Sequence, residues 1–270
     1  MKKMVCVLLM TVLLLNACAA LAEVKWTFPV SIIEAESEFA VLVNKEHTLE
    51  SNFKPSPLVK TKGLKTTTDM DLQETAYNAI AELFAAAEAE GYKLILKSGY
   101  RSYSSQKVMY ANRLERMNGV DDGVVQMPGA SEHQTGLCAD ILSVDYEKNN
   151  DTMKADFKLT AEAQWLKENC DDFGLILRYP ENKEDITGII FEPWHFRYVG
   201  KNMAGYIMAN DLCLEEFFEE FEAAKAEFEM NGGDLEEERA LELAEINALP
   251  ESLVLNEYGE DGDAEVTLDI

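Results

Sequence analysis

Three histidines occur among 270 residues, and two of them stand beside carboxylates in dense polar and aromatic surroundings. His133 lies in Ser131-Glu132-His133-Gln134-Thr135-Gly136-Leu137-Cys138-Ala139-Asp140, and His195 in Glu192-Pro193-Trp194-His195-Phe196-Arg197-Tyr198. A catalytic zinc takes three protein ligands from His, Asp or Glu and keeps one position for water, whose pKa it lowers to about 7. His133, Asp140 and His195 supply such a set. A separate carboxylate must then take the water's proton to the leaving amine, and the neighbouring Glu192 is the candidate. An ideal strand would send Glu192 and His195 to opposite faces, but Pro193 lacks an amide hydrogen and permits a bulge or kink between them. The same residues also suit buried, hydrogen-bonded side chains with no metal, because no HExxH or CxxC signature is present. Two histidines and a carboxylate equally suit non-haem iron. Spacing alone leaves these readings open.

A third cluster is Ser98-Gly99-Tyr100-Arg101-Ser102-Tyr103-Ser104-Ser105-Gln106. Arg101 is a planar fork suited to a carboxylate or a polarised carbonyl oxygen. Gln106 could offer an amide to the same substrate. A surface loop with an arginine ion pair fits this stretch taken alone.

Together, and in this order, the three clusters resemble the D-alanyl-D-alanine carboxypeptidases of the VanY type, within the wider group that holds lysostaphin-like peptidases and the hedgehog signalling domain. The family pattern is Ser-Gly-Tyr-Arg-Ser, then Ser-x-His-x-x-Gly-x-Ala-x-Asp, then Glu-x-Trp-His with Arg-Tyr following. Ser98 to Ser102, Ser131 to Asp140 and Glu192 to Tyr198 match it, and the resemblance covers Val41 to Leu214. It implies that His133, Asp140 and His195 bind zinc, that Glu192 is the base, and that Arg101 stabilises the oxyanion. Gln106 and Ser131 would line the substrate site, and Trp194 is either a wall of that site or core. The implied substrates are peptidoglycan stem peptides ending in D-alanine, with no organic cofactor. L,D-carboxypeptidase, D-Ala-D-Ala dipeptidase and wall endopeptidase share the zinc set and differ in pocket shape. A non-catalytic zinc-binding recognition domain also exists in the group. The presence of both Glu192 and Arg101 favours an enzyme, and export together with Glu192 argues against iron. One departure is Cys138, where the family has Ala. Strand alternation puts it on the face of Asp140, near the metal, although a packed thiol is the plainer reading.

The elements that must position these residues are helices mixed with short strands. Asp71 to Glu90 has Leu72, Ala76, Ala79, Ile80, Leu83, Phe84 and Ala87 at helical spacing, with Gly91 as its stop. Ser104 or Ser105 could cap a helix running to about Asn118, and Thr160 one that carries Trp165 and Leu166 and ends at Gly174. Val41 to Lys45, Leu94 to Leu96, Leu137 to Val144, Leu175 to Leu177 and Ile189 to Phe191 read as strands, the last continued by Phe196 to Val199. Met203, Ala204, Ile207 and Met208 mark another helix. No βαβ rhythm appears, so the predicted fold is α+β, a small antiparallel sheet flanked by helices in the hedgehog/DD-peptidase manner that the resemblance implies.

The chain begins with Lys2, Lys3 and the apolar run Met4 to Leu15, too short for a stable bilayer span. Ala20-Leu21-Ala22 fits a signal-peptidase site, which makes residues 1–22 an export signal. Leu15-Asn16-Ala17-Cys18 also resembles a lipobox whose Cys18 would carry a lipid anchor. No other segment can span a membrane, so the mature chain is expected in the cell envelope or secreted, and monomeric. Residues 23–214 form the predicted zinc domain and 215–270 an acidic extension. That extension carries 20 acidic and 2 basic residues, so it holds −18 of the −26 net charge and leaves −8 for the rest. Such a balance argues against nucleic acid as a partner, since phosphate binding needs clustered Lys and Arg. Leu214, Phe217, Phe218, Phe221 and Phe228 stripe its first helix, which should pack on the domain. Gly232-Gly233 then breaks the chain, and a weaker helix to Leu249 precedes a solvated tail in which Glu260 to Asp263 is too short for a calcium loop. Cys138, Cys170 and Cys213 make no disulfide framework, although Cys170 and Cys213 could form one bridge or be buried thiols. His47 reads as a surface or loop residue and Trp165 as core.

Overall fold

The structure, a computed structural model, describes residues 24–150 and 152–248. Its elements in chain order are α1 (Ile32–Ala35), β1 (Leu58–Lys60), β2 (Asp71–Gln73), α2 (Glu74–Ala89), β3 (Leu94–Ser98), α3 (Tyr103–Arg116) and β4 (Cys138–Ser143). There follow α4 (Val144–Asn149), α5 (Ala161–Asn169), β5 (Leu175–Leu177), α6 (Glu184–Thr187), β6 (His195–Tyr198), α7 (Lys201–Ala209), α8 (Leu214–Met230) and α9 (Leu235–Ala248). Four strands form one antiparallel sheet in the order β3-β4-β6-β5, and β1 pairs with β2 in a small separate ribbon. This is the predicted α+β architecture.

The central sheet is two-faced because alternate residues point to opposite sides. Ala139 and Ile141 on β4, Phe196 and Tyr198 on β6, and Leu175 and Leu177 on β5 enter one core with Ala76, Ile80 and Leu83 of α2 and Trp165 and Leu166 of α5. Cys138, Asp140, His195 and Arg197 take the intervening positions. The register sets Asp140 opposite His195 and Cys138 opposite Arg197, so the polar side chains share a face. A second core joins α1, Val199, Met203 and Ile207 to Leu214, Phe217 and Phe221 of α8.

Several predicted elements differ in detail. Val41 to Lys45 is not a strand: the carbonyls of Phe39 and Val41 accept from the guanidinium of Arg197, and Asn44 Oδ1 caps the amides of Glu46 and His47 to bend the chain. Asp71 to Gln73 pairs with β1 before the helix starts, and the Gln73 side chain caps α2. Ser102, not Ser104 or Ser105, caps α3 by accepting from Ser105 N at 3.3 Å. Ile189 to Phe191 is irregular, because Gly188 takes a left-handed conformation and Pro193 offers no amide to a ladder. Beyond Leu214 the apolar stripe packs on the domain, as its spacing predicts. Phe217, Phe221 and Phe228 of α8 are buried, and Glu242 of α9 accepts from the amides of Ile32 and Ile33 at the start of α1. The predicted export signal with Cys6 and Cys18, and the tail with Glu260 to Asp263, lie outside the described residues. Among the described residues no helix is long and apolar enough to cross a membrane, and Cys138, Cys170 and Cys213 are free thiols.

Candidate metal centre and active site

His133 sits in a short 3-10 turn, Glu132–Thr135, that ends at Gly136 with φ 71°. A side chain there would be strained, and its Cβ would stand 3.0 Å from Gln73 N. The turn therefore hands the chain directly into β4. Nδ1 of His133 lies 2.7 Å from the Gly99 carbonyl, which can only accept, so Nδ1 carries the hydrogen and Nε2 is free to bind. Nε2 lies 3.4 Å from Asp140 Oδ2. On β6, His195 Nδ1 is 3.1 Å from Asp140 Oδ1 and 3.6 Å from Glu192 Oε2. The amide of His195 donates to the Glu192 carbonyl at 3.1 Å, closing a turn at Pro193-Trp194 that folds Glu192 back beside His195. The parity problem seen in the sequence is resolved by that turn, because Glu192 precedes the strand.

Donors on a tetrahedral ion with bonds of ~2.0–2.1 Å stand about 3.3–3.4 Å apart. The spacings from Asp140 to the two imidazoles, 3.4 and 3.1 Å, fit that geometry. The electrostatics fit a cation as well. Burial would lower both imidazoles, but Asp140 and Cys138 against them raise His133 to about 9 and His195 well above its usual value. Burial would raise Asp140, yet the two histidines hold it far below the carboxylate range. Donor atoms of His133, Cys138 and His195 also lie within 4.8 Å of one another, so the thiol faces the cluster as strand alternation predicts. Using all four groups would give the closed shell of a structural site, whereas Asp140 with the two histidines leaves a position open. Asp140 also touches both imidazoles with separate oxygens, which makes it the better third donor.

Glu192 is the one carboxyl of the group pushed up. Burial is the main cause, with Asp140 adding to it, and it stands at about 7. A carboxyl at that value can accept and return a proton at neutral pH. Arg101 is half-buried, and its amide donates to the His133 carbonyl at 2.9 Å, which ties the first motif to the second. Its Nη1 donates to Gln106 Oε1 at 2.8 Å and its Nη2 to Ser98 Oγ at 3.3 Å. Gln106 is itself buried and donates to the Gln126 carbonyl at 2.5 Å, so its amide steadies Arg101. Ser131 is buried at the head of the 3-10 turn. Trp194 is buried and packs against the larger core. His47 is exposed on its loop, beside Asn44.

A set of charged residues without an assigned role in the sequence lies behind the histidines. Glu132 is fully buried, with Oε1 accepting from Arg178 Nε at 2.8 Å and Arg197 Nη1 at 2.7 Å. Arg178 is held on its other edge by both oxygens of Glu215, at 2.8 and 2.7 Å, and Asn44 donates to Glu215 at 3.1 Å. Burial would raise Glu132, but Arg178 and Arg197 bring it well below the carboxylate range. The signal was present in the sequence: Arg178 follows Leu175-Ile176-Leu177, and Arg197 interrupts Phe196 and Tyr198. A charge inside an apolar strand requires a buried partner.

The chain is similar to known proteins in sequence and in fold. Residues 69–201 match the family model described as VanY, D-alanyl-D-alanine carboxypeptidase. The chain is 40% identical over 204 residues to YodJ of Bacillus subtilis (strain 168), covering 73% of each chain. The structure of the LdcB LD-carboxypeptidase superposes with a TM-score of 0.62 at 42% identity, over 67% of this chain and 86% of that one. A mutant of the vancomycin-resistance D,D-pentapeptidase VanY, in complex with Zn(II), superposes with a TM-score of 0.54 at 30% identity, over 66% and 97%.

Proposed function

The chain belongs to the VanY family of D-alanyl-D-alanine carboxypeptidases and is a peptidoglycan carboxypeptidase, and we propose that it is the zinc-dependent enzyme that removes the C-terminal D-alanine of stem peptides outside the cytoplasm. The observation that carries this reading is the convergence of His133 Nε2, His195 Nδ1 and the Asp140 carboxylate, with Glu192 beside them. Zinc held there would supply Lewis acidity and an acidified water.

The protein's own groups then divide the work. Gly99 holds the ring of His133 and so aims its Nε2. Glu192, kept near neutrality by burial, takes a proton from the attacking water and gives it to the departing amine of D-alanine. Arg101, fixed by Gln106 and Ser98, presents donors to the carbonyl oxygen as charge builds on it. Ser131 heads the turn that carries His133 and lines the substrate side. Residues 1–22 direct export, with lipid attachment at Cys18 as the rival route to the envelope. The mass of the mature N-terminus distinguishes these two.

L,D-carboxypeptidase is the second reading, and a specific observation favours it: the likeness to LdcB exceeds that to VanY in identity and in TM-score. Assay of the zinc-loaded protein on a pentapeptide ending in D-Ala-D-Ala and on a tetrapeptide ending in a single D-Ala tests both. Preferential release from the pentapeptide supports the first reading and preferential release from the tetrapeptide the second. Cleavage of neither would leave a binding domain.

A further inference from the structure

Two buried polar atoms without hydrogen-bond partners face each other behind the candidate metal centre. His195 Nε2 and Glu132 Oε2 are 3.7 Å apart, and both residues are buried. Everything else about Glu132 is fixed. Its Oε1 takes one hydrogen bond from each of two arginines, Arg178 is clamped in turn by Glu215, and Arg197 is tied to the carbonyls of Phe39, Val41 and Tyr198. Two carboxylates and two guanidiniums make this cluster neutral as a set. Its one uncommitted acceptor is Oε2, aimed at the far nitrogen of a candidate ligand.

An imidazole that binds a metal must leave one ring nitrogen bare and protonate the other, and a carboxylate at the second nitrogen commonly decides which. Three carboxylates surround the His195 ring: Asp140 and Glu192 at 3.1 and 3.6 Å from Nδ1, and Glu132 at 3.7 Å from Nε2. Asp140 is nearest, 3.1 Å from Nδ1, and in the metal-free protein it holds a hydrogen on that nitrogen. If the hydrogen stays on Nδ1, that nitrogen cannot be a ligand. Once a cation occupies the space between Asp140 and Nδ1, the hydrogen belongs on Nε2, where Glu132 is the acceptor at 3.7 Å.

We propose that Glu132 is a positioning residue: it accepts the Nε2 hydrogen of His195, fixing the tautomer that turns Nδ1 toward the metal. The proposal rests on the metal reading above and adds a residue for which the sequence motif offered no role. Closure of the 3.7 Å gap by about half an ångström or more brings the pair into hydrogen-bonding range. The two arginines, both on Oε1, hold the carboxylate in place and set the direction of its free oxygen.

The test uses the full chain, uniformly labelled with 15N and loaded with zinc. Long-range proton–nitrogen spectra should show His195 with a protonated Nε2 and a metal-shifted Nδ1, its Nε2 hydrogen far downfield and slow to exchange. Zinc affinity, measured by competition with a chromogenic chelator, should fall about 10- to 100-fold in Glu132→Gln, the usual loss when such a partner is removed. The amide that replaces the carboxylate can present a donor to Nε2–H, so the downfield signal should vanish with it. A zinc-loaded wild type with His195 bound through Nε2 would overturn the proposal. So would a folded Glu132→Gln with wild-type affinity and an unchanged Nε2 signal. Should that variant not fold, the wild-type spectrum decides alone. Failure of the broader metal reading looks different: no zinc binds, and neither ring nitrogen shifts on its addition.

Discussion

At the residue scale, holding the metal and moving the proton fall to different side chains. Glu192→Ala should keep zinc near stoichiometric while turnover falls by about 10²-fold or more, the usual scale for loss of a general base. His195→Ala should lose zinc and turnover together, because a direct donor is gone. Arg101→Ala should keep zinc and lower kcat, since it removes a contact that strengthens as the oxyanion forms. Metal analysis beside peptide kinetics reads all three. The residues named in these variants were legible in the sequence because each lies in a short motif with recognisable neighbours. Glu132 was in view too, next to His133, but its surroundings were not. Its partners Arg178 and Arg197 are 46 and 65 positions away, and only the pairing of β4, β5 and β6 brings them together. Gln106 is similar: its motif put it near Arg101, and the 2.5 Å bond to Gln126 adds that it holds the arginine in place.

At the element scale, the site is built where β3, β4 and β6 meet the turn that carries His133. Gly99 is the tightest point. A Cβ there would stand 2.6 Å from the Asp71 carbonyl, so the backbone would have to move. That same residue's carbonyl orients His133. Gly99→Ala should therefore cost about 1–3 kcal/mol in urea unfolding, typical of overpacking, and weaken zinc binding as well. Unchanged zinc affinity in a destabilised variant would show that the Gly99 contact does not aim the ligand. Long periodic elements were readable: α2, α5, α7 and α8 follow from apolar spacing, and Thr160 was legible as the cap of α5. The failures share one cause. Val41 to Lys45 and Ile189 to Phe191 have strand-like composition, but their backbone groups are taken by Arg197, by Asn44 or by turn geometry. A local apolar run says what a segment prefers and nothing about which distant side chain claims its carbonyls.

At the scale of the whole molecule, the acidic C-terminal region divides in two. Helix α8 is part of the folded unit, since Glu215 neutralises Arg178 and the Phe217 and Phe221 rings close the second core. Glu215→Ala leaves a buried guanidinium half-paired and should cost about 3–5 kcal/mol in urea unfolding. A chain ending at Met230 loses α9 and its cap on α1, a change of about 0.5–2 kcal/mol, and should keep turnover. A zinc titration tests whether turnover depends on the ion. The protein is stripped with a chelator and assayed on pentapeptide and tetrapeptide substrates while zinc is returned in measured steps. Zinc-dependent catalysis predicts no cleavage without metal, and activity that rises with zinc to a plateau at a single equivalent. Full turnover in the stripped protein, or a stoichiometrically zinc-loaded protein that cleaves neither peptide, would contradict it.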